Sequence, residues 1–235
     1  MMTNSGKEIA LYYPNGDSIA SIEEFIDFYN KCYYWTNNKE VEDLIDTILK
    51  EGIQNANDVF RILAWKFGKI KMNKSTSKEL VYYKGWDEGK FEAQVYKNVV
   101  NVKPLCEKVV RLTQAKKELS TQDILNQLQS ATKEIDGFYT VYIITLLYFI
   151  TKGEMPIVDS FAFVAAKAIL SGTPFGTRIY YDGLPSVKKD EYYTTIENST
   201  YSKYIDMLYD LFGEEYKTNR DIDRALWSYG KLFKK

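Results

Sequence analysis

Residues Pro156-Ile157-Val158-Asp159 set one carboxylate between an extended apolar run that begins at Met155 and an Ala-rich pattern, Phe161-Ala162-Phe163-Val164-Ala165-Ala166, that reads as a helix. Two roles are open to Asp159. It can start the helix, since an aspartate at the N-cap accepts backbone N–H bonds and meets the positive end of the helix dipole. It can also be the one group in the chain that does chemistry. The rest of the composition narrows what that chemistry could be. There is no histidine, which removes histidine-based triads, general bases and metal sites. The two cysteines, Cys32 and Cys106, lie far apart and outside any C-x-x-C spacing, so neither a zinc site nor a redox pair is supported.

The elements that must position this carboxylate are mostly helices. Ser21-Ile22-Glu23-Glu24 reads as a capping box opening a helix through Phe25, Phe28, Tyr29 and Cys32. Asn38 caps a second, with Val41, Leu44, Ile45, Ile48 and Leu49 on one face and Gly52 just past its end. A third starts near Asn57 and stops around Gly68. The next forty or so residues are less regular: Leu80-Val81-Tyr82-Tyr83 reads as extended, Lys84-Gly85-Trp86 as a turn, and 91–100 as a helix. Pro104 reads as the first residue of a helix covering Leu105, Val109 and Leu112, and Ser120-Thr121-Gln122-Asp123 opens another. After a short turn at Glu134-Ile135-Asp136-Gly137-Phe138-Tyr139-Thr140 comes the most apolar helix, 141–150, expected near the centre of the fold. Asp159 opens the next, closed by Gly172. Residues 173–198 read as a long loop that shapes a site, and helices over 201–212 and 220–233 finish the chain. The expected class is all-α.

At 235 residues the chain can form one large domain or two small ones sharing a core. Its 45% hydrophobic and 27% charged residues argue for a globular protein. The apolar run 141–150 is too short to span a bilayer and nothing reads as a signal peptide, so a cytoplasmic protein with reduced thiols and no membrane partner is expected. The net charge of −1 hides an asymmetry. Residues 1–60 carry 4 Lys/Arg against 11 Asp/Glu, whereas 61–235 carry 27 against 21. Positive charge concentrates in 66–90 and 217–235, a pattern that permits a polyanion partner and equally fits a solvated face. The expected division is an acidic helical segment, 1–54, packing on a larger helical domain, 55–235.

Two of these stretches together, Ile135-Asp136-Gly137-Phe138-Tyr139-Thr140 and Pro156-Ile157-Val158-Asp159, resemble the helix-hairpin-helix DNA glycosylase superfamily. There a Leu-Pro-Gly-Val-Gly hairpin leads into a buried helix, and a Val-Asp-x-His-Val segment presents a catalytic aspartate. Ile135 matches the hairpin leucine, Gly137 its first glycine, and Asp159 that aspartate, at a spacing close to the family's. Ile62-Leu63-Ala64-Trp65-Lys66 and Arg220-Asp221-Ile222-Asp223-Arg224-Ala225-Leu226-Trp227 resemble stretches of bacterial 8-oxoguanine-glycosylase-like proteins, some associated with phage defence. The sequence departs from the pattern where Asp136 replaces the hairpin proline, Tyr139 its second glycine, and Ser160-Phe161-Ala162 the residues after the aspartate.

The resemblance implies a two-lobed helical fold with a cleft between the lobes and a DNA glycosylase acting as a monomer on double-stranded DNA with a flipped base. Val141, with Tyr142 beside it, stands where bifunctional members keep a Schiff-base lysine, so base removal should leave the strand uncut. Lys133 and Lys152 flank the hairpin and its helix. Asp159 would stabilise the oxocarbenium-like sugar and orient water, with no histidine, metal or cofactor needed. Trp65, Tyr139, Asp223 and Trp227 are candidates for the base pocket. Gly137, Thr140, Lys66, Lys69, Lys152 and Arg220 are candidates for DNA phosphates. Two other functions fit the same residues: an N-glycosidase of a modified nucleoside or nucleotide, and a non-catalytic nucleic-acid or protein binding module.

Overall fold

A computed structural model describes every residue except 74–79, 88, 93–98, 136, 180–199, 218 and 234–235. Its elements in order are α1 (Ile22–Thr36), α2 (Lys39–Glu51), α3 (Ala56–Lys66), β1 (Ile70–Met72), β2 (Leu80–Tyr82), β3 (Trp86–Asp87), β4 (Lys90–Glu92), β5 (Val99–Asn101), α4 (Lys103–Gln114), α5 (Thr121–Thr132), α6 (Thr140–Ile150), α7 (Ser160–Leu170), α8 (Thr200–Phe212) and α9 (Arg220–Gly230). Among the described residues the chain is 60% helix and 8% strand, so helices set the architecture.

The chain divides into two compact units, one split in sequence (Met1–Asn37 with Pro156–Lys235) and one continuous (Asn38–Met155). The boundaries fall after Asn37 and Met155, not at 54/55. The reason is packing. α1 lies along α9, as α7 does, which binds α1 to the C-terminal helices. α2 instead packs on α3.

In the split unit the core is aromatic. Phe25 and Tyr29 of α1 meet Tyr229 of α9 edge to face, with ring centroids 5.1 and 5.0 Å apart, and Tyr229 meets Phe233 at 4.9 Å. Such pairs add to the gain from burying their area. Tyr29 keeps its hydroxyl satisfied by donating to the Tyr12 carbonyl at 2.6 Å. Small side chains Ala162, Ala165, Ala166 and Ala168 are buried along α7 and let its neighbours come close. The approach is tightest at Gly230, where a Cβ would lie 2.0 Å from the Phe161 carbonyl oxygen. Only glycine fits there.

In the continuous unit α6 is buried from Ile143 to Ile150, as its apolar run leads one to expect. Thr145 and Thr151 can face inward because their hydroxyls bond back to the helix, Thr145 to the Val141 carbonyl and Thr151 to that of Leu147. Between α3 and α4 the chain forms two small antiparallel sheets, β1-β2 and β3-β4-β5. The helix expected over 91–100 is overturned, since Phe91 pairs with Val100 and Glu92 with Val99 across adjacent strands. The sequence there alternates charged and apolar residues, Lys90-Phe91-Glu92, and offers β-branched Val99-Val100, which suit a pleated surface. Gly89, at φ +79°, supplies the left-handed residue that the β3–β4 turn requires. The extended reading of Leu80-Val81-Tyr82 holds in β2.

Candidate active site

Asp159 is the N-cap of α7, in extended backbone (φ −141°, ψ 174°). Its Oδ1 accepts from the amides of Phe161 at 2.8 Å and Ala162 at 3.0 Å. Both capping bonds thus end on the same oxygen. The residue is half-buried, while Ile157 and Val158 before it are buried. The approach to Asp159 is pinned by Tyr201 of α8, whose buried hydroxyl donates to the Pro156 carbonyl at 2.7 Å. Buried side chains and one buried hydrogen bond therefore fix where the carboxylate stands.

Trp227 on α9 belongs to the same unit. Its ring meets Tyr33 of α1 at 5.1 Å and Phe161 of α7 at 5.7 Å, both edge to face. The Nζ of Lys231, one turn further on, lies 3.5 Å from the Trp227 ring centroid, well inside the range in which a cation is drawn to an indole face. Burial lowers the Lys231 pKa, and the charge of Asp159 opposes that shift. The Lys231 ammonium thus lies against the indole, with the charge of Asp159 acting on it. Arg220 is the first residue of α9 and is buried. Asp223 lies one turn before Trp227 and is half-buried. Arg224 is buried, bonds Asp221 at 3.0 Å and lies over the rings of Tyr34 and Tyr33 at 5.1 and 5.8 Å.

The remaining candidates lie in the continuous unit. Trp65 on α3 donates its indole N–H to Glu42 Oε1 at 2.6 Å, and Glu42 is buried in α2. Through that bond Trp65 has a structural role, because it supplies a donor to a buried carboxylate. Lys66 Nζ sits 5.9 Å from the Trp65 ring. Lys69 follows α3, and its backbone ties that helix to the chain ahead of β3, accepting from the Tyr83 amide at 2.9 Å. Lys152 has the left-handed φ of +53°, and its Nζ reaches the carbonyls of Glu51 at 3.3 Å and Lys50 at 3.5 Å. This is a cation at the C-terminal end of α2, where the dipole favours it, so Lys152 has a structural role beside the phosphate contact expected of it.

Where the hairpin is expected, Gly137, Phe138 and Tyr139 lead into α6. Gly137 takes φ +72°, and the Phe138 amide donates to the Ile135 carbonyl at 3.2 Å. Phe138 is buried, Tyr139 is 42% exposed, and Thr140 begins α6. Tyr139 is the N-cap of α6 but makes no side-chain capping bond, and the first turn holds no acid. Asp136 and residues 180–198 of the expected loop lie outside the described residues. Tyr142 stacks on Phe67 with centroids 3.8 Å apart and ring planes 14° from parallel.

The structure sets Trp227 against Phe161, two residues after Asp159, and adds Lys231 and Tyr33 around the same indole, which sequence reasoning missed. The spacing of Asp223, Trp227 and Lys231, each four residues apart, was a usable signal that they share one helix face. Among the described residues no helix is long and apolar enough to cross a membrane, and no three His, Cys, Asp or Glu side chains gather as a metal site. No family model matches the chain, and neither does any curated protein or solved structure.

Proposed function

We propose that the chain is a monofunctional DNA glycosylase of the helix-hairpin-helix kind, a cytoplasmic monomer serving repair or anti-phage defence. It flips a damaged or modified base from double-stranded DNA into a cleft between two lobes and hydrolyses the N-glycosidic bond. The observation that carries this reading is the setting of Asp159: half-buried, held at one oxygen by two amides, and close enough to Lys231 on the Trp227 face for its charge to act there. As the bond to the base breaks, positive charge grows on C1′ and the ring oxygen. A fixed carboxylate beside that carbon stabilises the charge and orients the attacking water. The aromatic surface of Trp227 offers stacking to an extruded base. The hairpin at Gly137 and the start of α6, which no side chain caps, suit a DNA phosphate.

The test is mass analysis of free bases released from modified and unmodified duplexes, with Asp159→Asn alongside. Activity should vanish in the variant while the fold stays, since asparagine keeps a capping oxygen and loses the charge. Binding to duplex DNA should weaken steeply with salt. An active asparagine variant would return Asp159 to helix capping alone.

A further inference from the structure

Within 66–90, one of the two stretches where positive charge concentrates, β1 and β2 form an antiparallel ribbon. Ile70 pairs with Tyr82, Lys71 with Val81 and Met72 with Leu80. Neighbours along a strand point to opposite sides, so this register sorts the side chains onto two faces. One face is anchored. Ile70 is buried, and Tyr82 meets Phe60 of α3 at 5.2 Å. Phe60 meets Trp86 at 5.6 Å, and Trp86 meets Phe67 at 5.1 Å. The pairing runs one step past the strands, with the Tyr83 amide donating to the Lys69 carbonyl at 2.9 Å. The other face therefore carries Lys69, Lys71, Val81 and Tyr83.

That outward face is basic and aromatic. Lys71 is exposed, and its Nζ lies 5.2 Å from the ring centroid of Tyr83, which is 45% exposed. Lys84 follows in an exposed turn, closed by the Trp86 amide on the Tyr83 carbonyl at 2.9 Å, with Gly85 at φ +86°. Among the described residues no carboxylate pairs with Lys69, Lys71 or Lys84. Unbalanced ammonium groups on one small face draw a polyanion. An open ring among them asks that the polyanion also carry flat apolar groups.

We propose that the outward face of the β1-β2 ribbon is a binding surface for single-stranded DNA, separate from the Asp159 site and independent of the glycosylase reading. Lys69, Lys71 and Lys84 take the phosphates, and a base stacks on Tyr83. The ring selects a single strand over a duplex. In a duplex each base is covered by its neighbours and offers a tyrosine nothing to stack on, whereas an unpaired strand can turn its bases outward. An acidic protein would satisfy the lysines without calling for an open ring. Val81 selects DNA over RNA. It is half-buried, two residues before Tyr83 on the same face, and gives an apolar contact to the thymine methyl group that uracil lacks. The anchored inner face holds the ribbon in place, so little of it has to be ordered on binding.

The experiment uses the full chain and fluorescence anisotropy with three labelled probes: an oligothymidylate of about 20 nucleotides, an oligouridylate of the same length and an unmodified duplex of that length. Tyr83→Ala should weaken the oligothymidylate about tenfold, Tyr83→Trp should keep it, and neither should change the duplex. The oligouridylate should bind severalfold more weakly than the oligothymidylate. Replacing Lys69, Lys71 and Lys84 together by glutamine should lower the slope of log K against log salt by about 2 for the oligothymidylate. Should Tyr83→Ala fail to fold, the lysine variant decides alone. Oligothymidylate binding untouched by these variants, an equal loss on the duplex with Tyr83→Ala, or an oligouridylate bound as tightly overturns the inference. Base release from modified duplexes, followed in parallel, should be the same in Tyr83→Ala as in the parent. Release of no base by the parent overturns the glycosylase and leaves this surface standing.

Discussion

Helices α6 and α7 are each 11 residues long and largely apolar and buried, yet their first turns are built differently. α7 begins on a carboxylate that takes two of its amides. α6 begins on Tyr139, with no side-chain cap and no acid in the first turn, after a turn whose Gly137 is left-handed. A helix start closed by its own anion repels a second one, while a start closed by backbone alone leaves its dipole to be answered from outside. The two helices thus do opposite electrostatic work: α7 presents negative charge, and α6 presents the positive end of its dipole.

The units that hold them differ in the same spirit. The split unit relies on aromatic edge-to-face packing and one glycine-only contact. The continuous unit buries a thiol, Cys106, and a carboxylate, Glu42, where the split unit buries two guanidinium groups, Arg220 and Arg224. The largest effect that would break this comparison is expected at Gly230. Gly230→Ala forces a methyl into the Phe161 carbonyl and should destabilise the chain by about 3 kcal/mol or more, read by denaturant unfolding. A variant as stable as the parent would mean that α7 and α9 separate easily.

Alkaline pH should strike the continuous unit through its buried thiol and phenol. Burial pushes Cys106 up to about 12 from 9.0, and burial, helped slightly by Tyr139, pushes Tyr142 up to about 12 from 10.0. Both folded values exceed the unfolded ones, so the unfolded chain loses these protons first. Their stabilisation is complete below pH 9 and disappears as pH climbs toward 12, on the order of a few kcal/mol. Melting temperature followed across that window, with Cys106→Ala as the control that flattens its lower part, checks the direction. A smaller loss is expected for Trp65→Phe, which takes a hydrogen-bond donor from buried Glu42. It should cost about 2 kcal/mol with base release unchanged, whereas lost activity at full stability would restore Trp65 to the base pocket. The smallest effect on stability belongs to Asp159→Asn, within about 0.5 kcal/mol because asparagine caps nearly as well. A calorimetric scan would show it.

The helix starts were legible because capping chemistry is local. Ser21, Asn38, Ser120 and Asp159 all cap the helices their positions suggested. Glu24 kept only half of the expected box: it bonds the Ala20 amide at 2.8 Å and the Tyr13 hydroxyl at 2.6 Å. The strands over 91–101 were hidden because two and three residues of alternation are too short to outvote a helical reading. Lys231 was hidden for another reason. A lysine near a helix end reads as dipole compensation, and only the tertiary approach at Gly230 reveals the indole and carboxylate beside it. The unit boundaries were missed because the partnership of α1 with α9 spans nearly the whole chain, beyond any local signal.

That partnership has a consequence for biosynthesis. By the time a ribosome reaches Met155, every residue of the continuous unit has been made, and its helices can begin to dock. α1 is made before that unit yet must wait with Phe25 and Tyr29 uncovered until α9 emerges to receive them. A nascent chain stalled short of Tyr229 would therefore display this aromatic surface, the kind that chaperones bind and degradation machinery reads.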